Sequence, residues 1–228
     1  MGRRSAPWVT ALAEASDRFE AVDVPGADPE RVRVLVVAGP PTEPLPDWPH
    51  LGLVQSLWHG VDALVDHPLL PPDVPIARLV DPGVPAAMAR FVTRIVLDRS
   101  QRVDEYAELA ARAEWRPLAH LTPSDVTVGV LGLGEVGRAV AALVGGLGHP
   151  VIGWRSRPEP VAGVEVVTGP AGLASLVGRA DVLVNTLPST PGTQGLLTAE
   201  LLGRLPERAA FVNVGRGDVV AEPDLVAG

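Results

Sequence analysis

Short apolar runs alternate with proline-rich breaks over the first third of the chain. Aliphatic and β-branched runs that are bounded by Pro and Gly are typical of strands. They predict strands at residues 33–38, 51–57 and 76–80, and a helix is expected around residues 8–15. Together these elements indicate a small α/β domain over about residues 1–85.

Apolar residues then recur every three or four positions, which places them on one face of a helix. The residues with this spacing are Met88, Phe91, Val92, Ile95 and Val96. Pro85 suits the first turn of this helix, because its missing N–H has no partner to lose there. A second helix is expected through residues 106–110, ending near Pro117.

From about residue 121 onward, apolar runs alternate with helical patterns. The predicted strands lie at residues 126–131, 151–155, 164–167, 181–186 and 210–214, and short helices are expected at 172–178 and 198–204. Strands that alternate with helices imply a parallel sheet. The predicted fold class is therefore α/β, with an incomplete doubly wound sheet of Rossmann type following the smaller α/β domain.

The strand predicted at residues 126–131 is followed by the pattern G-x-G-x-x-G and then by a helical apolar pattern. In dinucleotide-binding folds the first glycine allows a tight turn, the second admits a pyrophosphate, and the third lets the helix pack closely on the strand. Gly132, Gly134 and Gly137 hold these positions, ahead of a helix N-terminus that suits phosphates. An ordinary glycine-rich turn is the alternative interpretation.

The end of the next strand indicates which dinucleotide is preferred. An NAD site usually has an acidic residue about 20 residues beyond the glycines, which binds the ribose 2′-hydroxyl. The strand at residues 151–155 instead ends in Arg155, and Ser156 and Arg157 follow directly. Two arginines and a hydroxyl suit a 2′-phosphate, so we predict NADP(H) in preference to NAD(H). A solvated basic turn is the alternative.

Composition narrows the remaining classes of function. The formal net charge of −8 argues against broad binding of nucleic acid or acidic membranes. The chain has no cysteine and all its basic residues are arginine, so it offers neither a thiolate metal site nor a lysine Schiff base. The five histidines lack metal-ligand spacing, and no apolar run has the length of a membrane span. We expect a cytoplasmic protein without a metal.

Four segments match the motifs of a single family. They are the Gly-Val-Asp loop at residues 57–62, the segment at 79–83, the glycine pattern at 132–137, and the long stretch from 187 through 217. In these segments the chain resembles the D-isomer-specific 2-hydroxyacid dehydrogenases, and most closely their glyoxylate/hydroxypyruvate reductase A branch. The resemblance covers nearly the whole chain.

The resemblance implies a flavodoxin-like substrate domain at residues 1–97 and a dinucleotide-binding domain at residues 98–228. The implied reaction is hydride transfer between a nicotinamide cofactor and a small 2-oxo acid of the glyoxylate or hydroxypyruvate type, with the cofactor supplying the hydride chemistry. A homodimer built around the helix near residues 86–100 is a further implication.

The resemblance also implies site residues. Arg216 is the candidate for catalysis and substrate binding, because its planar fork of donors suits a 2-oxo carboxylate. The backbone N–H groups of Gly60 and Val61 are expected to bind the substrate carboxylate. The other expected cofactor contacts are Glu135, Val136, Leu187, Pro188, Thr193, Val214 and Gly215. The alternative interpretations are that Arg216 is an ordinary surface arginine and that Gly60 only supports a turn at the end of a strand.

The family also uses a glutamate and a histidine toward its C-terminus, and neither is matched in this chain. The leading hypothesis is a C-terminally truncated reductase that is weak or inactive by itself. One alternative is a non-catalytic NADP(H)-binding protein of the same fold. Another is a subunit whose site is completed by a second chain.

Overall fold

The computed structural model describes residues 6–221 and residue 223. The chain divides after Val80 into two compact units. This division precedes the long helix of residues 83–100, whereas the apolar pattern indicates a first domain to about residue 85 and the resemblance implies a boundary at residue 97. The helix belongs to the second unit because it packs extensively against another helix of that unit.

The first unit contains a helix and a three-stranded parallel sheet. Helix α1 spans Ala6–Ala15, and strands β1 (Val34–Val37), β2 (Leu53–Ser56) and β3 (Ile76–Ala77) lie side by side in chain order. The three strands fall within predicted segments, although β3 is shorter than expected, and α1 begins two residues before its predicted start. The buried core of this unit consists of Leu35, Trp48, Val54, Leu64 and Leu70.

Two helices open the second unit, α2 (Gly83–Ser100) and α3 (Val103–Ala111). The buried face of α2 consists of Ala89, Val92, Thr93, Val96 and Ser100. These positions follow the i, i+3, i+4 spacing of one helix face. Phe91 lies outside that stripe and is exposed, although the apolar pattern includes it.

The second unit is built on a five-stranded parallel sheet, as predicted. Its elements are β4 (Val128–Leu131), α4 (Glu135–Gly146), β5 (Val151–Trp154), β6 (Glu165–Val167), α5 (Gly169–Val177), β7 (Val182–Asn185), α6 (Ala199–Leu202) and β8 (Ala210–Asn213). The strand order is β6-β5-β4-β7-β8. It corresponds to strands 3-2-1-4-5 of a doubly wound dinucleotide-binding sheet.

Both faces of this sheet are covered, which explains why the central strands β4 and β7 are buried at every position. Successive side chains of a strand point to opposite faces. Val128 and Val130 contribute to the core shared with α2 and α4, while Leu131 lies in the core that also contains residues of α5. Burying each such side chain contributes about 1.5–3 kcal/mol.

The strand order also locates the site. The chain moves outward from β4 to β5 and β6, and then returns to the other side of β4 with β7 and β8. The order therefore reverses between β4 and β7. In open α/β sheets, ligands bind at this reversal, outside the carboxyl ends of the strands.

Candidate functional site

The glycine pattern lies at the reversal point, in the turn between β4 and α4. Gly132 has a φ of +90°, a left-handed conformation that favours glycine. A Cβ on Gly137 would lie 1.9 Å from the Gly132 carbonyl oxygen, so only glycine lets the helix approach the turn this closely. A Cβ on Gly134 would meet nothing within 4 Å. The turn is thus tight beneath the helix and open above Gly134.

Helix α4 begins directly after this open position. Gly134 is its N-cap, and Glu135, Val136 and Gly137 form its first turn. N–H groups in a first turn have no acceptor within the helix, and they carry the positive end of the helix dipole. The space above Gly134 and these N–H groups fit the pyrophosphate of a dinucleotide.

The glycine turn is attached to the end of β7 by Thr186. The Thr186 hydroxyl lies 2.8 Å from the Gly132 carbonyl oxygen and 3.0 Å from that of Leu131, and its N–H donates to the same Leu131 oxygen at 2.9 Å. The loops after β4 and β7 therefore form one connected structure. This connection holds the glycine turn in place.

The loop after β8 is braced by two asparagine side chains. Asn185, which is fully buried, donates to the Asn213 side-chain oxygen at 3.0 Å and to the Arg216 carbonyl at 3.4 Å. Asn213 donates to the same Arg216 carbonyl at 3.0 Å and accepts from the Gly215 N–H at 3.0 Å. The two amides therefore fix the backbone of Arg216, whose side chain is half-buried.

The loops after β7 and β8 also touch each other through their backbones. A Cβ on Gly215 would lie 2.6 Å from the Leu187 carbonyl oxygen. Ser189 donates a short hydrogen bond to the Asp218 carboxylate, and the Gly195 N–H donates to the Asp218 carbonyl at 2.8 Å. Arg216 is thus presented from a loop that is held on two sides.

Three predicted cofactor contacts lie on the loop after β7. The Leu187 side chain is buried, and its Cδ2 atom lies beside the glycine turn, 3.0 Å from where a Cβ on Gly132 would stand. The Thr193 hydroxyl donates to the Pro188 carbonyl at 2.6 Å and accepts from the Thr190 N–H at 2.9 Å. These contacts shape the loop itself, and a role of the loop toward a cofactor stays a prediction.

The loop after β5 contains the predicted 2′-phosphate residues. Ser156 and Arg157 are exposed, whereas the side chain of Arg155 is only 17% exposed and forms an ion pair with Glu159 at 2.7 Å. This loop starts beside the glycine turn, since the Gly132 N–H donates to the Trp154 carbonyl at 2.9 Å. The structure thus brings the predicted basic loop and the glycine pattern to the same edge of the sheet.

In the first unit, Gly60 and Val61 lie in the loop that follows β2, and both are half-buried. The buried Ser56 hydroxyl accepts from the Trp58 N–H at 3.0 Å and starts this turn. Arg78, just past β3, lies with its Nη1 atom 3.2 Å from the His59 ring. The carboxyl edge of this small sheet therefore also gathers polar side chains beside a glycine.

Sequence reasoning missed Asn185, Thr186, Asp218 and Arg78. Asn185 is the last residue of β7, and Thr186 follows it. Arg78 follows β3, and Asp218 lies in the loop after β8. Polar residues at the carboxyl ends of parallel strands meet at one edge, and this signal was available for Asn185 and Thr186. The partners of Asp218 lie far away in sequence, so nothing local indicates its role.

The resolved pKa shifts belong to ion pairs and caps away from this edge. Hydrogen bonds from Arg102 lower the pKa of Glu105, and hydrogen bonds from Arg179 lower the pKa of Glu165. The Thr122 hydroxyl and N–H lower the pKa of Asp125.

Among the described residues, no group of three or more His, Cys, Asp or Glu could hold a metal ion. Within the same residues, no helix has the length and apolarity to cross a bilayer.

The fold and this site define an α/β protein of the dinucleotide-binding class. The family model of the D-isomer specific 2-hydroxyacid dehydrogenases, NAD binding domain, matches residues 93–228, and the chain belongs to that family. The glyoxylate/hydroxypyruvate reductase A of Serratia proteamaculans is 31% identical over 224 residues, which span 96% of this chain and 72% of the relative. The resemblance noted in the four segments is thereby confirmed.

Two solved structures are similar over almost the whole chain. A D-isomer specific 2-hydroxyacid dehydrogenase from Xanthobacter autotrophicus, in complex with NADPH and MES, is 37% identical with a TM-score of 0.87, over 99% of this chain and 73% of that one. An NADPH-dependent glyoxylate/hydroxypyruvate reductase from Sinorhizobium meliloti, with NADP and sulfate, is 33% identical with a TM-score of 0.82, over 97% and 73%.

Proposed function

We propose that the chain is an NADP(H)-dependent reductase of small 2-oxo acids, of the glyoxylate or hydroxypyruvate type. The observation that carries this proposal is the convergence of three loops at the reversal point of the second sheet. The glycine turn, the loop after β7 and the loop after β8 are joined there, and Arg216 stands on the last of them. Relatives named as glyoxylate/hydroxypyruvate reductases support the choice of substrate.

The preference for NADP(H) rests on the loop after β5. Arg155, Ser156 and Arg157 stand where NAD-binding folds usually place a carboxylate for the ribose hydroxyl. Guanidinium groups bind phosphate oxygens through paired N–H donors. The structures from Xanthobacter autotrophicus and Sinorhizobium meliloti were solved with NADPH and NADP, which supports the same choice.

The chain's own residues divide the work as follows. The first turn of α4 and the space above Gly134 would hold the pyrophosphate, and the nicotinamide would supply the hydride. The Arg216 guanidinium would bind the carboxylate and carbonyl oxygens of the 2-oxo acid and stabilise the negative charge that develops on the carbonyl oxygen. The backbone N–H groups of Gly60 and Val61 would bind the substrate carboxylate.

The second candidate function is that of a non-catalytic NADP(H)-binding protein. The glycine turn is joined to the loop after β7 through Thr186 and to the end of β5 through the Trp154 carbonyl, so the elements that binding alone requires lie together. General acid catalysis contributes about 10²–10⁴ in rate, so a protein that binds the dinucleotide without donating a proton would turn over more slowly by about that factor. The two candidates therefore share the cofactor site and differ in turnover.

One experiment tests both candidates. The purified chain is titrated with NADPH and NADH by fluorescence, and NADPH oxidation is then followed with glyoxylate or hydroxypyruvate. Binding of NADPH with turnover that Arg216→Met abolishes supports the reductase. Binding without turnover supports the second candidate. A chain that is folded by circular dichroism and binds neither dinucleotide contradicts both.

A further inference from the structure

The loop after β5 contains an acidic residue beside its basic residues. Glu159 lies four residues after Arg155, and the Glu159 Oε2 atom lies 2.7 Å from the Arg155 Nη2 atom. The Glu159 backbone carbonyl also accepts from Arg155 Nη1 at 3.4 Å. One carboxylate and one carbonyl of the same residue thus occupy both terminal nitrogens of the guanidinium.

This ion pair differs from the other i,i+4 pairs on the surface of the second unit. Arg204 pairs with Glu200 at 2.9 Å on α6, and its side chain is 51% exposed. The Arg155 side chain is only 17% exposed, and its backbone N–H donates to Val167 at 3.2 Å. Arg155 is therefore held in one place, and its charge is less screened by water than that of Arg204.

Arg155 also stands where the chain would distinguish the two dinucleotides. It is the first residue after β5, which pairs with β4 through Leu131 and Trp154. In dinucleotide-binding sheets, groups at the end of this second strand contact the 2′ position of the adenosine ribose. Arg157, two residues further on, is exposed. Among the described residues of this loop, Glu159 supplies the one carboxylate seen in contact with either arginine.

We propose that Glu159 is a specificity-determining residue, which competes with the 2′-phosphate for Arg155 and thereby lowers the preference for NADP(H) over NAD(H). The proposal rests on the proposed function above. A phosphate monoester carries a charge of about −1.5 to −2 near neutral pH and binds a guanidinium through two parallel N–H donors. To bind Arg155 in that geometry, the 2′-phosphate must either displace the Glu159 carboxylate or bind close to its negative charge, and both are unfavourable. NADH has only a hydroxyl at this position and meets neither cost.

The test compares Glu159→Gln with the unaltered chain and with Glu200→Gln, which removes the acid of the exposed pair on α6. Fluorescence titrations give the affinities for NADPH and NADH, and adenosine 2′,5′-bisphosphate against AMP isolates the 2′-phosphate. We expect Glu159→Gln to raise the affinity for NADPH and for the bisphosphate about 3–10-fold, since Arg155 is largely shielded from water while the Glu159 side chain is about half exposed. The affinities for NADH and AMP should stay within about 1.5-fold, and Glu200→Gln should change none of the four.

A second variant shows that the effect passes through Arg155. When Arg155 is replaced by Met, Glu159→Gln should no longer raise the NADPH affinity. A gain that persists without Arg155, an equal gain for both dinucleotides, no gain, or a loss of NADPH affinity would overturn the proposal. Circular dichroism confirms that each variant is folded.

Failure of this inference can be distinguished from failure of the proposed function. If the unaltered chain prefers NADPH and Glu159→Gln leaves that preference unchanged, only the role of Glu159 is rejected. If the folded, unaltered chain binds neither dinucleotide, the cofactor assignment itself is rejected, and the role of Glu159 with it.

Discussion

Two loops at the same edge of the second sheet each present arginine side chains, but they are built differently. The loop after β8 is braced by the buried Asn185, by Asn213 and by backbone contacts, so the backbone of Arg216 has little freedom. The loop after β5 is exposed beyond Arg155, and Arg155 is held by one ion pair. The loop after β8 is therefore preorganised, whereas the loop after β5 is adjustable through surface charge.

The largest expected effect comes from adding a side chain at the close contact between the glycine turn and α4. Gly137→Ala would place a Cβ 1.9 Å from the Gly132 carbonyl oxygen and force the turn and the helix apart. We expect a loss of about 3 kcal/mol in the free energy of unfolding, measured in urea, and at least about tenfold weaker NADPH binding. Gly146→Ala in the same helix meets nothing within 4 Å and serves as the control. Equal effects of the two substitutions would contradict the close approach at Gly137.

Removing the buried amide should break the brace itself. Asn185→Leu leaves the buried Leu187 N–H without its acceptor and the Asn213 side-chain oxygen without its donor. We expect a loss of about 2–3 kcal/mol in the free energy of unfolding, because unsatisfied buried polar groups are costly. Asn213→Ala removes the exposed partner and should cost about 1 kcal/mol or less. If Asn185→Leu costs no more than Asn213→Ala, the buried amide is not the main brace.

Substitutions in the loop after β5 should change dinucleotide binding while the free energy of unfolding stays nearly the same. Replacing Arg155 and Arg157 together with Met should weaken NADPH binding about tenfold and change NADH binding less than twofold, since only the phosphate needs the guanidinium groups. The free energy of unfolding should change by less than about 1 kcal/mol. Arg204→Met is the matched control on α6. An equal loss for both dinucleotides would reject the 2′-phosphate assignment.

The smallest effect concerns pH and an exposed ion pair at the far edge of the sheet. Hydrogen bonds from Arg179, at 2.6 and 2.7 Å, lower the pKa of Glu165 below its ordinary value of 4.5. Because the pKa is lower in the folded state, the pair stabilises the fold above about pH 4.5, and this contribution disappears as the pH falls further. We expect less than about 1 kcal/mol, since both side chains are about half exposed.

This pH effect is measured by urea unfolding between neutral pH and the acid range. Glu165→Gln should flatten the decline below about pH 4.5 relative to the unaltered chain. Arg179→Met removes the same interaction from the other side and should have a similar effect. A decline that is unchanged in both variants would show that the pair does not contribute.

The sequence by itself determined the elements of the second sheet and the place of its glycine turn. All five strands were predicted, because strands buried on both faces read as continuous apolar runs with clear glycine and proline boundaries. The spacing of Gly132, Gly134 and Gly137 predicted the turn for the same local reason, as each glycine answers a constraint within a few residues of itself. The motif around Arg216 was likewise local and specific.

Only the tertiary structure decided how the site is held together. Asn185 and Arg216 are 31 residues apart, and Ser189 and Asp218 are 29 apart, yet each pair is joined by hydrogen bonds. Strand order places them side by side, and no local pattern encodes that order. The division after Val80 and the ion pair of Arg155 with Glu159 also depend on contacts that no local pattern shows. The first depends on which helix α2 packs against, and the second on where two side chains point, and both are decided by packing.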